Sequence, residues 1–107
     1  MRILFDQGTP LPIRRFLGAH DVSTAALQGW STLKNGDLLT EAELAGFEVL
    51  LTTDKNFAHQ QNLARRQIAI VVLRTSRWPA LRPHVQLVVN ALALAIPGSL
   101  QEVKIPR

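Results

Sequence analysis

Val49-Leu50-Leu51-Thr52-Thr53-Asp54-Lys55-Asn56-Phe57 is the stretch on which the reading of the fold turns. Its first five residues are apolar or β-branched with no polar alternation. That is the pattern of a strand covered on both faces, and such strands belong to parallel sheets. A carboxylate, Asp54, follows at once. Ile68-Ala69-Ile70-Val71-Val72-Leu73 repeats the pattern as the clearest buried strand, and Arg2-Ile3-Leu4-Phe5 ahead of Asp6 is a shorter copy. Val22 to Ala25 reads as a weaker strand, and Leu100 to Ile105, which alternates loosely, reads as an edge strand.

Helical patterns fill the intervals. Thr9 can cap a helix with Pro10 and Pro12 in its first turn, Leu11, Ile13, Phe16 and Leu17 on its inner stripe, and Gly18 as its stop. Leu27 to Leu33 is irregular. The Asn35-Gly36-Asp37 turn opens a second helix through Leu38, Leu39, Ala42, Leu44 and Ala45, and Asn56 to Arg66 reads as a polar helix anchored by Phe57, Ala58 and Leu63. A last helix is expected from Ala80 or His84 to Ile96, with Val85, Val88, Val89, Leu92 and Ile96 inward, until Pro97-Gly98 ends it. Strands alternating with helices imply right-handed crossovers. The expected architecture is therefore a three-layer α/β/α sandwich with a mainly parallel sheet of four to five strands, in one domain over residues 1–107.

The 107 residues, 47% hydrophobic and 19% charged, suit one ordinary core. Without cysteine the chain has no disulfide, zinc-thiolate site, iron-sulfur cluster or thiol nucleophile, so any metal must take oxygen or imidazole ligands. The longest apolar runs, Ile68 to Leu73 and Ala91 to Ile96, are too short for a membrane span or signal core, and a cytoplasmic protein is expected. The net charge of +4 hides an asymmetry: residues 1–54 hold four Lys/Arg against seven Asp/Glu, and residues 55–107 hold eight against one, Glu102. Nine of the twelve bases are Arg, whose planar fork suits phosphate. Arg14 and Arg15 in the first half, and Arg74, Arg77 and Arg82 around Trp78 in the second, are candidates to meet a nucleic-acid backbone, with Trp78 better placed than Trp30 to stack on a base. A solvated basic surface is the plain alternative.

Asp6, Asp37 and Asp54 carry the chemistry. Each precedes an expected helix, where an Asp side chain caps backbone N–H groups. Asp6 and Asp54 also follow strands, at the carboxyl ends where open α/β sheets bind ligands. Carboxylates about 4 Å apart repel by roughly 4 kcal/mol at an effective dielectric near 20, so a cluster of them calls for a cation. Mg²⁺ or Mn²⁺ takes such oxygen ligands and can promote phosphodiester hydrolysis. Glu41, one turn beyond Asp37, is a further acid or a solvent-facing residue of an early turn, and Thr52, Thr53 and Asn56 flank Asp54 closely enough to orient ligands. His20, His59 and His84 lack metal-ligand spacing, and neither GxxxxGK[ST] nor GxGxxG occurs, which speaks against P-loop and Rossmann dinucleotide chemistry.

Ile3-Leu4-Phe5-Asp6-Gln7-Gly8-Thr9-Pro10, Gly36-Asp37 and Thr52-Thr53-Asp54-Lys55-Asn56-Phe57 resemble the short stand-alone PIN-like proteins of bacteria, proposed nuclease components of toxin-antitoxin pairs. The similarity covers nearly the whole chain in element order. It implies an endoribonuclease acting on single-stranded RNA, with Mg²⁺ or Mn²⁺ held by Asp6, Asp37 and Asp54, and a protein antitoxin and a homodimer as partners. Two positions depart from the pattern: Gln7 and Asn56 stand where many relatives carry acids, which implies weaker metal affinity. A degenerate PIN-like nucleic-acid-binding or interaction module without catalysis is the non-enzymatic alternative. The order Asp54, Thr75, Lys104 is also similar to phosphorelay receivers, although those carry an acidic pair where only Asp6 stands, and no final helix follows Lys104.

Overall fold

Five strands form one all-parallel sheet: β1 (Arg2–Phe5), β2 (Asp21–Thr24), β3 (Val49–Thr52), β4 (Ala69–Leu73) and β5 (Leu100–Val103), ordered β2-β1-β3-β4-β5. The computed structural model describes residues 1–59 and 63–106. Every residue of β3 and β4 is buried, as their unbroken apolar composition requires, whereas the edge strands β2 and β5 are only partly covered. The register places Leu4 beside Leu50 and Leu50 beside Ile70, so alternate residues of adjacent strands share a face.

Two apolar clusters result, one on each side of the sheet. Leu4, Leu50, Ile70 and Val72 meet Leu38, Leu39 and Ala42 of α1 (Asn35–Leu44) together with Phe47 and Phe57. Phe5, Leu51, Val71 and Val103 meet Ile13 and Leu17 on one flank and Leu81, Val88 and Leu92 on the other, the last three from α2 (Trp78–Leu81) and α3 (Val85–Ala93). This is the three-layer α/β/α arrangement expected from the sequence.

One connection breaks the expected handedness. The passages from β2 to β3 and from β3 to β4 both run across the face that carries α1 and Phe57, whereas the passage from β4 to β5, moving in the same direction along the sheet, runs across the opposite face with α2 and α3. The β4-to-β5 crossover therefore has the opposite hand to the other two, although parallel crossovers share the right hand almost without exception. It sets α3 against the 3-10 helix Leu11–Phe16 that follows β1.

The helices also differ from their sequence patterns in detail. The first is a 3-10 helix over Leu11–Phe16, entered at Pro10, with Leu11 and Phe16 exposed rather than inward. Where one polar helix was expected over 56–66 there are 3-10 turns at Lys55–His59 and Leu63–Arg65, and residues 60–62 of that expectation lie outside the described residues. The last helix is split into α2, a 3-10 turn at Arg82–His84 and α3, because Pro83 supplies no amide hydrogen. It stops at Ala93, leaving Ile96 exposed. Among the described residues no helix is long and apolar enough to cross a membrane.

Arg2 latches the amino-terminal edge of the sheet. Its Nε donates to Asp21 Oδ2 (3.3 Å), its Nη1 donates to the Ala45 carbonyl after α1, and its guanidinium lies 4.3 Å from the centre of the Phe47 ring. Arg2→Ala is expected to lower unfolding free energy by about 1–2 kcal/mol, measured by urea denaturation, through the lost cation-π contact and the orphaned carbonyl.

Candidate functional site

Chain direction along the sheet reverses between β1 and β3: from β1 the chain steps outward to β2, then returns past β1 to β3 and continues to β4 and β5. Helices therefore leave the two strands on opposite faces, opening a crevice at their carboxyl ends, which is the general ligand position in open α/β sheets. Asp6 follows β1 directly and Asp54 lies two residues past β3.

Thr52 joins them. Its side chain is fully buried at the end of β3, and its hydroxyl accepts a hydrogen bond from the Asp54 amide (3.0 Å) and donates to Asp6 Oδ2 (3.0 Å). Each carboxylate has local duties as well. Asp6 Oδ1 accepts from the Gln7 amide (2.8 Å), and Asp54 Oδ1 accepts from the Asn56 amide (2.9 Å) at the start of the 3-10 turn Lys55–His59. Asp54 thus caps the turn that follows it, whereas Asp6 bonds only its neighbour's amide and the Leu11–Phe16 helix is entered at Pro10 without a side-chain cap. An ionised carboxylate has about four lone-pair positions on its two oxygens, so capping leaves capacity for a further ligand.

The segment after β1 is fastened to β3 by three contacts. The Asp6 amide donates to the Leu51 carbonyl (2.9 Å), and the buried Thr9 hydroxyl donates to the same oxygen (3.0 Å) instead of capping the following helix. Gly8, at φ +85°, passes so close that a Cβ there would stand 2.9 Å from Thr53 Oγ1. Gly8→Ala is expected to cost about 1–2 kcal/mol from the left-handed backbone alone and to push Thr53 aside. Urea denaturation measures the cost, and the backbone amide shifts of residues 52–54 report the displacement. The sequence carried a cue for this approach in the Gln7-Gly8-Thr9 turn, but its partner on β3 was not readable.

The other acids stand elsewhere. Asp37 and Glu41 are exposed on α1, and Asp37 sits in the first turn, where its charge favours the helix dipole. Among the described residues no three His, Asp or Glu side chains gather into a group able to hold a metal ion. The structure links Asp6 through its carboxylate and Asp54 through its backbone amide to the Thr52 hydroxyl, and no group of three acids that includes Asp37 is found among the described residues. Two strand-end aspartates would be donors enough for a hard divalent ion, because Mg²⁺ is commonly bound by one or two carboxylates with water and substrate phosphate completing its shell. A groove lined by Phe5, Asp6, Gly8, Leu11, Thr24 and Ala25 opens beside Asp6 and leaves room for a substrate.

The arginines divide into two groups. Arg74 is paired with Glu102 (2.9 Å), and Arg66 with Glu43 (2.7 Å). Arg14, Arg15, Arg77 and Arg82 are exposed and have no ion-pair partner among the described residues. Arg74, Thr75, Arg77 and Ile105 line a cleft past the carboxyl ends of β4 and β5. Trp30 makes an edge contact with Phe47 at 6.1 Å and belongs to the α1-side core, while Trp78 contacts Phe16 at the same distance on the opposite side of the sheet. His20 and His84 are part-buried and remote from the crevice in the fold order, and the His59 side chain lies outside the described residues.

Comparison with family models, with curated proteins and with solved structures finds no match for this chain.

Proposed function

We propose that the protein is a metal-dependent endoribonuclease of PIN-like type acting on single-stranded RNA, with Asp6 and Asp54 as the paired ligands of one Mg²⁺ or Mn²⁺ ion. The observation that supports the reading is the Thr52 hydroxyl, which bonds the Asp6 carboxylate and the backbone amide of Asp54 and so holds the two residues side by side at the β1/β3 reversal of the sheet. An ion bound there would activate water and neutralise charge on the phosphodiester under attack. Thr52 holds Asp6 in place, the Asn56 amide holds Asp54, and the groove beside Asp6 accepts the substrate. The exposed arginines raise the local concentration of the nucleic-acid backbone. A protein antitoxin and a second copy of the chain are its partners by resemblance, and a toxin-antitoxin role follows from the same source.

The test is a gel assay of mixed single-stranded RNA with Mn²⁺, run beside the Asp54→Asn protein. Cleavage by the wild type alone supports the reading. Metal-independent binding without cleavage would leave the degenerate nucleic-acid-binding module, with the aspartates as caps.

One observation favours a second reading. The strand order β2-β1-β3-β4-β5 is also that of phosphorelay receivers, although the reversed β4-to-β5 crossover is not, and Asp54, Thr75 and Lys104 follow β3, β4 and β5 in turn. Acetyl phosphate would then label Asp54, and an unlabelled protein retires this alternative.

A further inference from the structure

The reversed β4-to-β5 crossover has a functional consequence. By setting the last helices on the same side of the sheet as the 3-10 helix after β1, it brings Phe16 against Trp78, with ring centroids 6.1 Å apart and planes inclined at 44°. Phe16 is 47% exposed and Trp78 partly so, which is unusual for aromatic rings whose only task is to fill a core. Arg14 and Arg15 precede Phe16, and Arg77 and Arg82 bracket Trp78, all four exposed and without an ion-pair partner among the described residues. Arginines from both halves of the chain thus flank, in sequence, the two residues of one aromatic pair.

We propose that Phe16 and Trp78 form a stacking platform for the bases of a single-stranded nucleic acid, whose backbone the four arginines hold. Aromatic rings stack on any base, and arginines follow the phosphates, so the site is tolerant of sequence. A duplex, with its base faces already stacked, offers only its charge. The platform shares no residue with Asp6, Thr52 or Asp54 and needs no metal. It deepens the nuclease reading, on which it rests for the identity of its ligand, by giving the strand a place to be held before cleavage.

The test is fluorescence anisotropy of a labelled oligouridylate of about twelve nucleotides, at low salt in EDTA, using the full chain. Wild type is expected to bind this strand more tightly than a duplex of equal length or heparin. Phe16→Ala weakens binding about five-fold or more. Arg77→Gln with Arg82→Gln lowers the slope of log affinity against log salt by about 1.4. Since Trp78→Ala removes core contacts as well, Trp78→Phe serves as its companion and retains most of the affinity. In a Trp30→Phe background, Trp78 fluorescence is quenched on binding. Equal affinity for heparin and RNA, or wild-type binding by Phe16→Ala, overturns the platform. Cleavage that persists without this binding removes the platform and leaves the nuclease, whereas binding without Mn²⁺-dependent cleavage does the reverse.

Discussion

Asp54→Asn is expected to lower Mn²⁺-dependent cleavage of single-stranded RNA by at least about 100-fold while leaving unfolding free energy within about 0.5 kcal/mol of the wild type. The two effects separate because the proposed reading gives Asp54 two tasks, capping and metal binding. Its Oδ1 accepts the Asn56 amide hydrogen, and an asparagine carbonyl oxygen can accept the same bond, so the start of the Lys55–His59 turn is preserved. What asparagine cannot supply is the charge that a divalent ion requires. Asp54→Ala removes both and should cost about 1 kcal/mol in addition to the activity. If capping were the whole role of Asp54, the asparagine variant would behave as wild type in both measurements. Initial rates of RNA cleavage and urea denaturation of the three proteins check this together.

Thr52→Val is expected to destabilise by about 1–3 kcal/mol and to weaken Mn²⁺ binding by about 10- to 100-fold, although valine has nearly the shape of threonine. Thr52 is fully buried, so no water replaces its hydroxyl without rearrangement. The hydroxyl accepts from the Asp54 amide, which leaves its own hydrogen for Asp6 Oδ2. Valine orphans a part-buried amide at one end and frees a carboxylate at the other. Thr52→Ser, which keeps the oxygen, should recover most of the loss. Thermal denaturation with and without Mn²⁺ distinguishes this joint from a simple packing residue, for which serine would be no better than valine.

Some of this architecture is legible in the chain and some is not, for physical reasons. The runs 49–53 and 68–73 announce central parallel strands because burial on both faces leaves no polar alternation, and the structure places β3 and β4 there. Asp6 and Asp54 are legible as strand-end acids because short side chains past a buried strand have few alternatives. Strand order is not written in any local pattern, and neither is the hand of the β4-to-β5 crossover, since both depend on which helix packs against which face. Phe16 shows the effect: read alone, it belongs to an inward stripe, yet the tighter 3-10 winding of Leu11–Phe16 rotates it outward to meet Trp78. Asp37 fails to join the other aspartates for a related reason. Its place at a helix start is visible in the sequence, but which residues that start packs beside depends on tertiary contacts that no local pattern records.

A thermal melt across a Mn²⁺ titration tests most directly whether Asp6 and Asp54 share a divalent ion. At 100 times its dissociation constant the ion should add about 2.7 kcal/mol, which raises the melting temperature of a domain this size by on the order of 10 °C or more, and Asp6→Asn should show no rise. A wild-type melt indifferent to Mn²⁺, or an equal rise in Asp6→Asn, contradicts the account.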